Sequence, residues 1–174
     1  GVCYRLWSKI EHGTRAVHRA AEIDGIDLAG LALELAAWGT EPDRLAFMSP
    51  PPRKAMQAAR ELLADLGAID GERKLTAIGR SMLGLPLHPR LARMLVAEPS
   101  PLGCAIAAVV DERDVLRGRL DDLPADLGLR VRLVAGRGRH DQVDGRAVQR
   151  LRDRAADLAR RIGIRLDTDL IDSD

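Results

Sequence analysis

Four arginines carry the chemistry that this sequence offers most plainly: Arg80, Arg90, Arg93 and Arg113. A guanidinium is planar and always charged, and its fork makes two charge-assisted hydrogen bonds to one phosphate. Arg90 and Arg93 are three residues apart, a spacing that sets both on one exposed side of a helix. Pro89 fixes where that helix begins, and Leu91, Met94 and Leu95 supply its buried side. Four such residues on rigid elements would help line a path for a single strand of nucleic acid. For any one arginine, though, a solvated or internally paired guanidinium is the commoner state. Binding of this kind is electrostatic, weakly sequence-specific and sensitive to salt. Aromatic residues make up 2% of the chain, which argues against base stacking as the main mode.

Other chemistries fail on spacing. Gly136-Arg137-Gly138 has the first two glycines of a dinucleotide loop, but position 141 is Asp and no strand–helix–strand pattern follows. No Gly-Lys-Ser/Thr phosphate loop occurs, and no Ser, Cys or Thr has a base at motif spacing. Asp121-Asp122 sit in a polar connection, as solvated carboxylates do. His12 and His18 are six apart and fall on different helix faces, so they make no metal pair. Cys3 and Cys104 form neither a disulfide framework nor a Cys-x-x-Cys site, and two isolated thiols fit a reducing, cytoplasmic setting. The chain is expected to contain no complete active site, no metal and no cofactor of its own.

The 174 residues are 46% hydrophobic and 30% charged, enough to fold one or two small domains. With so few aromatics the core must be Leu, Ala, Val and Ile, and that mixture favours helices. The net charge of +1 excludes nucleic-acid binding by bulk charge alone, but its distribution is uneven. Arg130 to Arg165 holds eleven Arg against four Asp. Twenty-four Arg against three Lys fits phosphate recognition, although a codon bias accounts for it more simply. No apolar run reaches the roughly 18 to 20 residues that span a bilayer, so no membrane partner is expected. Gly1 stands where an initiator Met would, and the chain reads as a fragment.

The elements that must position the arginines follow from periodicity and caps. Residues 1–7 alternate apolar and polar, which predicts an N-terminal strand without a partner. Asp27 caps a deeply buried helix over Leu28–Trp38, with Leu28, Leu31, Leu35 and Trp38 as its main stripe and Gly39 as its stop. Pro50 to Pro52 stiffen the approach to a helix ending near Leu66, with Ala55, Ala59, Leu62 and Leu66 buried. Gly67 ends it, and Asp70–Arg73 turn a short β-hairpin between Ala68-Ile69 and Lys74-Leu75. Thr76 caps the next helix, to Leu83. Helix, hairpin and helix in this order make the recognition helix and wing of a winged helix. A bundle follows: a helix from Pro89, one from Ser100-Pro101 to about Leu116, a segment over Leu123–Val134, and a last helix over Gly145–Ile162. Arg146, Arg150 and Arg154 recur along that last helix. The tail from Asp167 is acidic.

Several of these stretches resemble the segment that follows the motor in DEAH-box RNA helicases, in particular the HrpB group. The resemblance rests on Cys3-Tyr4-Arg5-Leu6, Trp38-Gly39, Leu66-Gly67-Ala68-Ile69, Leu75-Thr76, Gly79-Arg80 and the run Leu85 to Leu95. It covers residues 1–117 and thins out from Arg117 to Ile164. It implies a mainly α chain in four parts. Residues 1–26 would be the end of a second RecA-like lobe, 27–84 a winged-helix domain, 85–165 a helical ratchet domain and 166–174 a tail. It also implies a parent ATP-dependent RNA helicase in which RecA-like lobes bind ATP and Mg, while winged helix and ratchet brace single-stranded RNA. A non-enzymatic winged-helix nucleic-acid binder and a protein-docking module are the alternatives.

Overall fold

The computed structural model describes residues 1–16 and 20–165. Eight α-helices account for nearly all of their regular structure: α1 Lys9–Thr14, α2 Ala29–Trp38, α3 Arg53–Asp65, α4 Ala77–Leu83, α5 Pro89–Ala97, α6 Pro101–Asp111, α7 Leu127–Val134 and α8 Gly145–Ile162. The mainly α expectation holds. His18 and the acidic tail lie outside the described residues.

Helix ends fall where the capping residues are. Gly39, Gly67 and Gly163 take left-handed backbone, with φ of 66°, 69° and 76°, just past α2, α3 and α8. Thr76 Oγ1 accepts from the Gly79 N–H at 3.1 Å, and Ser100 Oγ from the Gly103 N–H at 3.0 Å. Asp144 Oδ1 accepts from the N–H groups of Arg146 and Ala147 at 3.0 and 3.3 Å to open α8. Asp27 acts one residue early: Leu28 is the N-cap, and Asp27 Oδ1 accepts from the Ala29 N–H at 2.7 Å.

Five expectations need correction. Residues 1–7 carry no strand and lie exposed, because a strand persists only where a neighbour takes up its hydrogen bonds and no described segment does. The segment folds back locally instead, with Arg15 4.3 Å above the centroid of the Trp7 ring and Arg5 Nη1 2.8 Å from His12 Nε2. The hairpin shrinks to one antiparallel bridge, Ile69 to Leu75, with Arg73 in left-handed backbone (φ 63°). Trp38 is 69% exposed, since α2 is apolar nearly all round and periodicity could not say which side faces the core. The helix α6 stops at Asp111, and Leu102 and Val110 on its outer side are exposed. The buried face of α3 is also rotated, to Met56, Ala59 and Leu63, with Ala55, Leu62 and Leu66 half-buried.

The buried residues form one aliphatic cluster that runs through all helices from α2 to α8. Leu63, Met82, Leu95, Leu151 and Leu158 are its largest fully buried side chains. Each contributes about 1.5–3 kcal/mol by leaving water. In this packing α2 meets α3 and α4, α6 meets α7 and α8, and α5 touches α2, α4 and α6. The helix that starts at Pro89 therefore joins the two groups. No helix among the described residues is long and apolar enough to cross a membrane.

Candidate nucleic-acid interface

Arg90 opens the first turn of α5 and is exposed. Its guanidinium has no hydrogen bond or ion pair to a described residue, so the fork is free for an anion. The turn that carries it is anchored: the Arg90 backbone N–H donates to His88 Nδ1 at 3.2 Å, which makes His88 the N-cap of α5. Because Nδ1 accepts, the imidazole proton sits on Nε2, which points at Asp27 Oδ2 from 3.3 Å. Asp27 in turn caps α2, so two side chains lock the starts of two helices together.

Arg93 does not share that exposed side. It is half-buried, and its Nε donates to Leu66 O at 3.0 Å. Leu66 is the C-cap of α3, whose last carbonyls lack helical partners, and Arg93 satisfies one of them. Arg80 is exposed but leans on the bridge, with Nη1 3.2 Å from Leu75 O. Arg113 is exposed, with no hydrogen bond or ion pair from its guanidinium among the described residues, and it lies two residues past the end of α6 rather than within it. Of the four candidates, Arg90 and Arg113 present cations without a described partner, while Arg80 and Arg93 are partly or wholly spent on backbone carbonyls. Along α8, Arg146 and Arg150 are exposed as well, and their guanidiniums have no partner among the described residues.

Sequence reasoning missed the arginines that hold the fold. Arg130 forks onto Asp114, with Nε 3.0 and 3.1 Å from the two carboxylate oxygens, and its Nη1 donates to Pro124 O and Asp126 O at 2.6 and 3.0 Å. Partial burial pushes the Asp114 carboxyl up. The hydrogen bonds from Arg130 and the Leu116 N–H, with the arginine's charge, outweigh that and hold it below the ordinary carboxylate value. Arg152 Nε donates to Val134 O at 2.6 Å, tying α8 to the end of α7. The partners are 16 and 18 residues apart, beyond any helical spacing rule.

Gly136 follows a helix, not a strand, so Gly136-x-Gly138 lacks the setting of a dinucleotide loop. Asp121 and Asp122 sit exposed in a 3₁₀ turn. Among the described residues no group of three His, Cys, Asp or Glu is placed to hold a metal ion. Cys104 is buried, and burial pushes its thiol up to about 11, which leaves it an inert packing residue.

Comparison with known proteins finds relatives in both sequence and fold. Residues 59–87 match the family model of the helicase associated domain (HA2), winged-helix. The chain is 37% identical over 117 residues to the ATP-dependent RNA helicase HrpB of Escherichia coli, covering 64% of this chain and 14% of the relative. It is 36% identical over 107 residues to the human probable ATP-dependent RNA helicase DHX35, covering 60% and 15%. The crystal structure of the Escherichia coli DEAH/RHA helicase HrpB superposes with a TM-score of 0.68 at 28% identity, over 91% of this chain and 18% of that one. The chain thus spans about one seventh of the length of these curated relatives. In sequence and in fold it is similar to one segment of the longer HrpB-type DEAH-box RNA helicases.

Proposed function

We propose that this chain is the non-motor part of an ATP-dependent RNA helicase and braces single-stranded RNA while RecA-like lobes of the same parent unwind it. In this reading residues 27–84 act as the winged helix and 85–165 as a helical ratchet, with residues 1–26 leading in from the second lobe. ATP and Mg belong to the lobes, since this chain has no phosphate loop. The observation that carries the reading is the match to RNA helicases, over 64% of the chain in sequence and 91% in fold, with residues 59–87 matching the helicase associated domain. Arg90 is exposed and unengaged on an anchored turn, the state that strand positioning requires. A phosphate contact holds the strand without reading bases, so affinity should be nearly independent of sequence.

The test is direct. Titrate the chain with labelled single-stranded RNA at several salt concentrations, and repeat with Arg90→Ala and Arg113→Ala. For single strands, each lost contact should lower the slope of log affinity against log salt by about 0.7. An unchanged slope in folded variants removes these arginines from the interface. The pure chain should show no ATP turnover, with or without RNA; turnover that survives removal of contaminating ATPases overturns the assignment of ATP to the lobes. One observation favours a docking role beside this one: Trp38 and Met48 are exposed on the side of α2 and the loop after it. Loss of a partner protein, with unchanged RNA affinity, in Trp38→Ala would favour that second reading.

A further inference from the structure

The segment between α4 and α5 is held from behind by α8. Arg154 reaches back 68 residues: its Nη2 donates to Pro86 O and, at 2.9 Å, to Asp111 Oδ2 at the end of α6. Two turns on, Arg161 Nη1 lies 3.4 Å from Gly84 O while its Nε holds Asp157 at 2.7 Å. Both carbonyls flank Leu85, which is buried, and both precede the His88 cap from which α5 starts. The Arg154 side chain is four-fifths covered, and its Nε is buried with no hydrogen-bond partner in the structure. A buried, unsatisfied guanidinium nitrogen opposes folding. The position keeps a guanidinium there in spite of that, and its one nitrogen Nη2 ties the junction carbonyl to the carboxylate of α6.

We infer that Arg154 is a positioning residue: it latches the Gly84–His88 junction to α6 and α8, and so fixes the direction in which α5 presents Arg90 to a nucleic-acid strand. The last clause rests on the reading that α5 faces RNA; the latch itself does not. Arg154 is therefore not a phosphate contact, although it falls on the same four-residue repeat as the exposed Arg146 and Arg150. The arginine holds the junction at the main chain, where no side-chain substitution at Pro86 removes the acceptor.

The experiment compares Arg154→Met with Arg90→Ala in the full chain. Methionine keeps much of the buried volume and removes both polar ties and the unsatisfied nitrogen. Amide hydrogen exchange is read at Leu85, Leu87 and the first turn of α5, with the first turn of α8 as the control. Binding of a labelled single-stranded RNA is read against salt. In Arg154→Met, exchange at the junction should quicken by about tenfold or more while the control is unchanged, as expected for local opening. Affinity should fall with the salt slope kept. In Arg90→Ala the slope should fall by about 0.7 with exchange unchanged. Unchanged junction exchange in folded Arg154→Met overturns the latch. A lowered salt slope with unchanged exchange makes Arg154 a phosphate contact instead. Should Arg154→Met fail to fold, Asp111→Ala removes the carboxylate anchor altogether and must show the same local opening, or the latch is overturned. If the unsubstituted chain binds no RNA, the bracing function fails while the exchange result still decides the latch.

Discussion

The chain closes on itself twice through a single antiparallel bridge, and the two closures differ in kind. Ile69 and Leu75 are six residues apart and meet across a turn whose chemistry is local. There Asp70 Oδ1 accepts from the N–H groups of Glu72 and Lys74, both at 2.9 Å, and Arg73 takes the left-handed residue. Leu116 and Val143 are 27 residues apart and meet only because other parts of the chain bring them together. The Arg117 N–H donates to Gln142 O and the Asp144 N–H to Val115 O, both at 2.8 Å, around α7 and the Arg130–Asp114 pair. The first bridge is written into one turn. The second is made by ion pairs and packing between elements, and it holds only while they do.

The sharpest way to break the first closure is at Gly79. A Cβ there would sit 2.2 Å from Ala68 O and 2.6 Å from Leu75 Cδ1. Backbone cannot yield as a flexible side chain would, so Gly79→Ala should push α4 away from the bridge and cost about 3 kcal/mol or more, read by urea unfolding. A cost under 1 kcal/mol would mean that α4 and the bridge are not in close contact. The second closure should give way next, in Arg130→Met. The Arg130 and Asp114 side chains are 13% and 26% exposed, between the surface and the fully buried limits. The loss should be about 2 kcal/mol, with amide protection lost at Arg117 and Asp144 but kept at Asp70 and Thr76. Equal loss at both bridges would show that they open as one unit. Asp70→Ala removes two side-chain hydrogen bonds from an exposed turn and should cost about 1 kcal/mol.

Acid separates the two further. Both carboxylates that flank the second bridge titrate below their ordinary value. For Asp144, desolvation raises it, but the hydrogen bond from Arg117, those from the Ala147 and Arg146 N–H groups and the arginine's charge together lower it more. A depressed carboxylate lends stability above its unfolded pKa and loses it as pH falls through the folded one. The contribution of Asp114 and Asp144 should therefore be complete above about pH 4 and fade below it. Protection factors at Arg117 and Asp144 should drop over that acid range, and a second bridge indifferent to acid would remove these ion pairs as its support. The smallest expected effect is chemical: at neutral pH a thiol reagent should label exposed Cys3 and leave buried Cys104 untouched until the chain unfolds.

What the sequence reveals follows the same division. The bounds of α8 match the structure at both ends, because Asp144, Gly163 and a strong apolar stripe are all local signals. The stop of α6 was not legible. Val115 and Leu116 extend its apolar pattern, and they are indeed buried, but on an extended segment held by Asp114 to an arginine 16 residues ahead. The site divides likewise. Exposed Arg90 can be found from Pro89 and the spacing that follows. The fate of Arg93 depends on a carbonyl 27 residues behind it, and that of Arg154 on one 68 behind. A helical spacing rule ranks faces of one helix and is silent about what stands opposite.

The place of α8 in the chain order has a consequence for how the molecule is made. A ribosome releases α2 to α5 and the first bridge before any of α8 exists. Their contacts close short loops, and such loops form early. For the time it takes to translate some 50 further residues, at about 5–20 per second, the junction at Pro86 has neither Arg154 nor the cover of α8. With the proposed latch, the nascent chain passes through a stage in which α5 is formed but not yet aimed, and α8 sets its direction once it emerges.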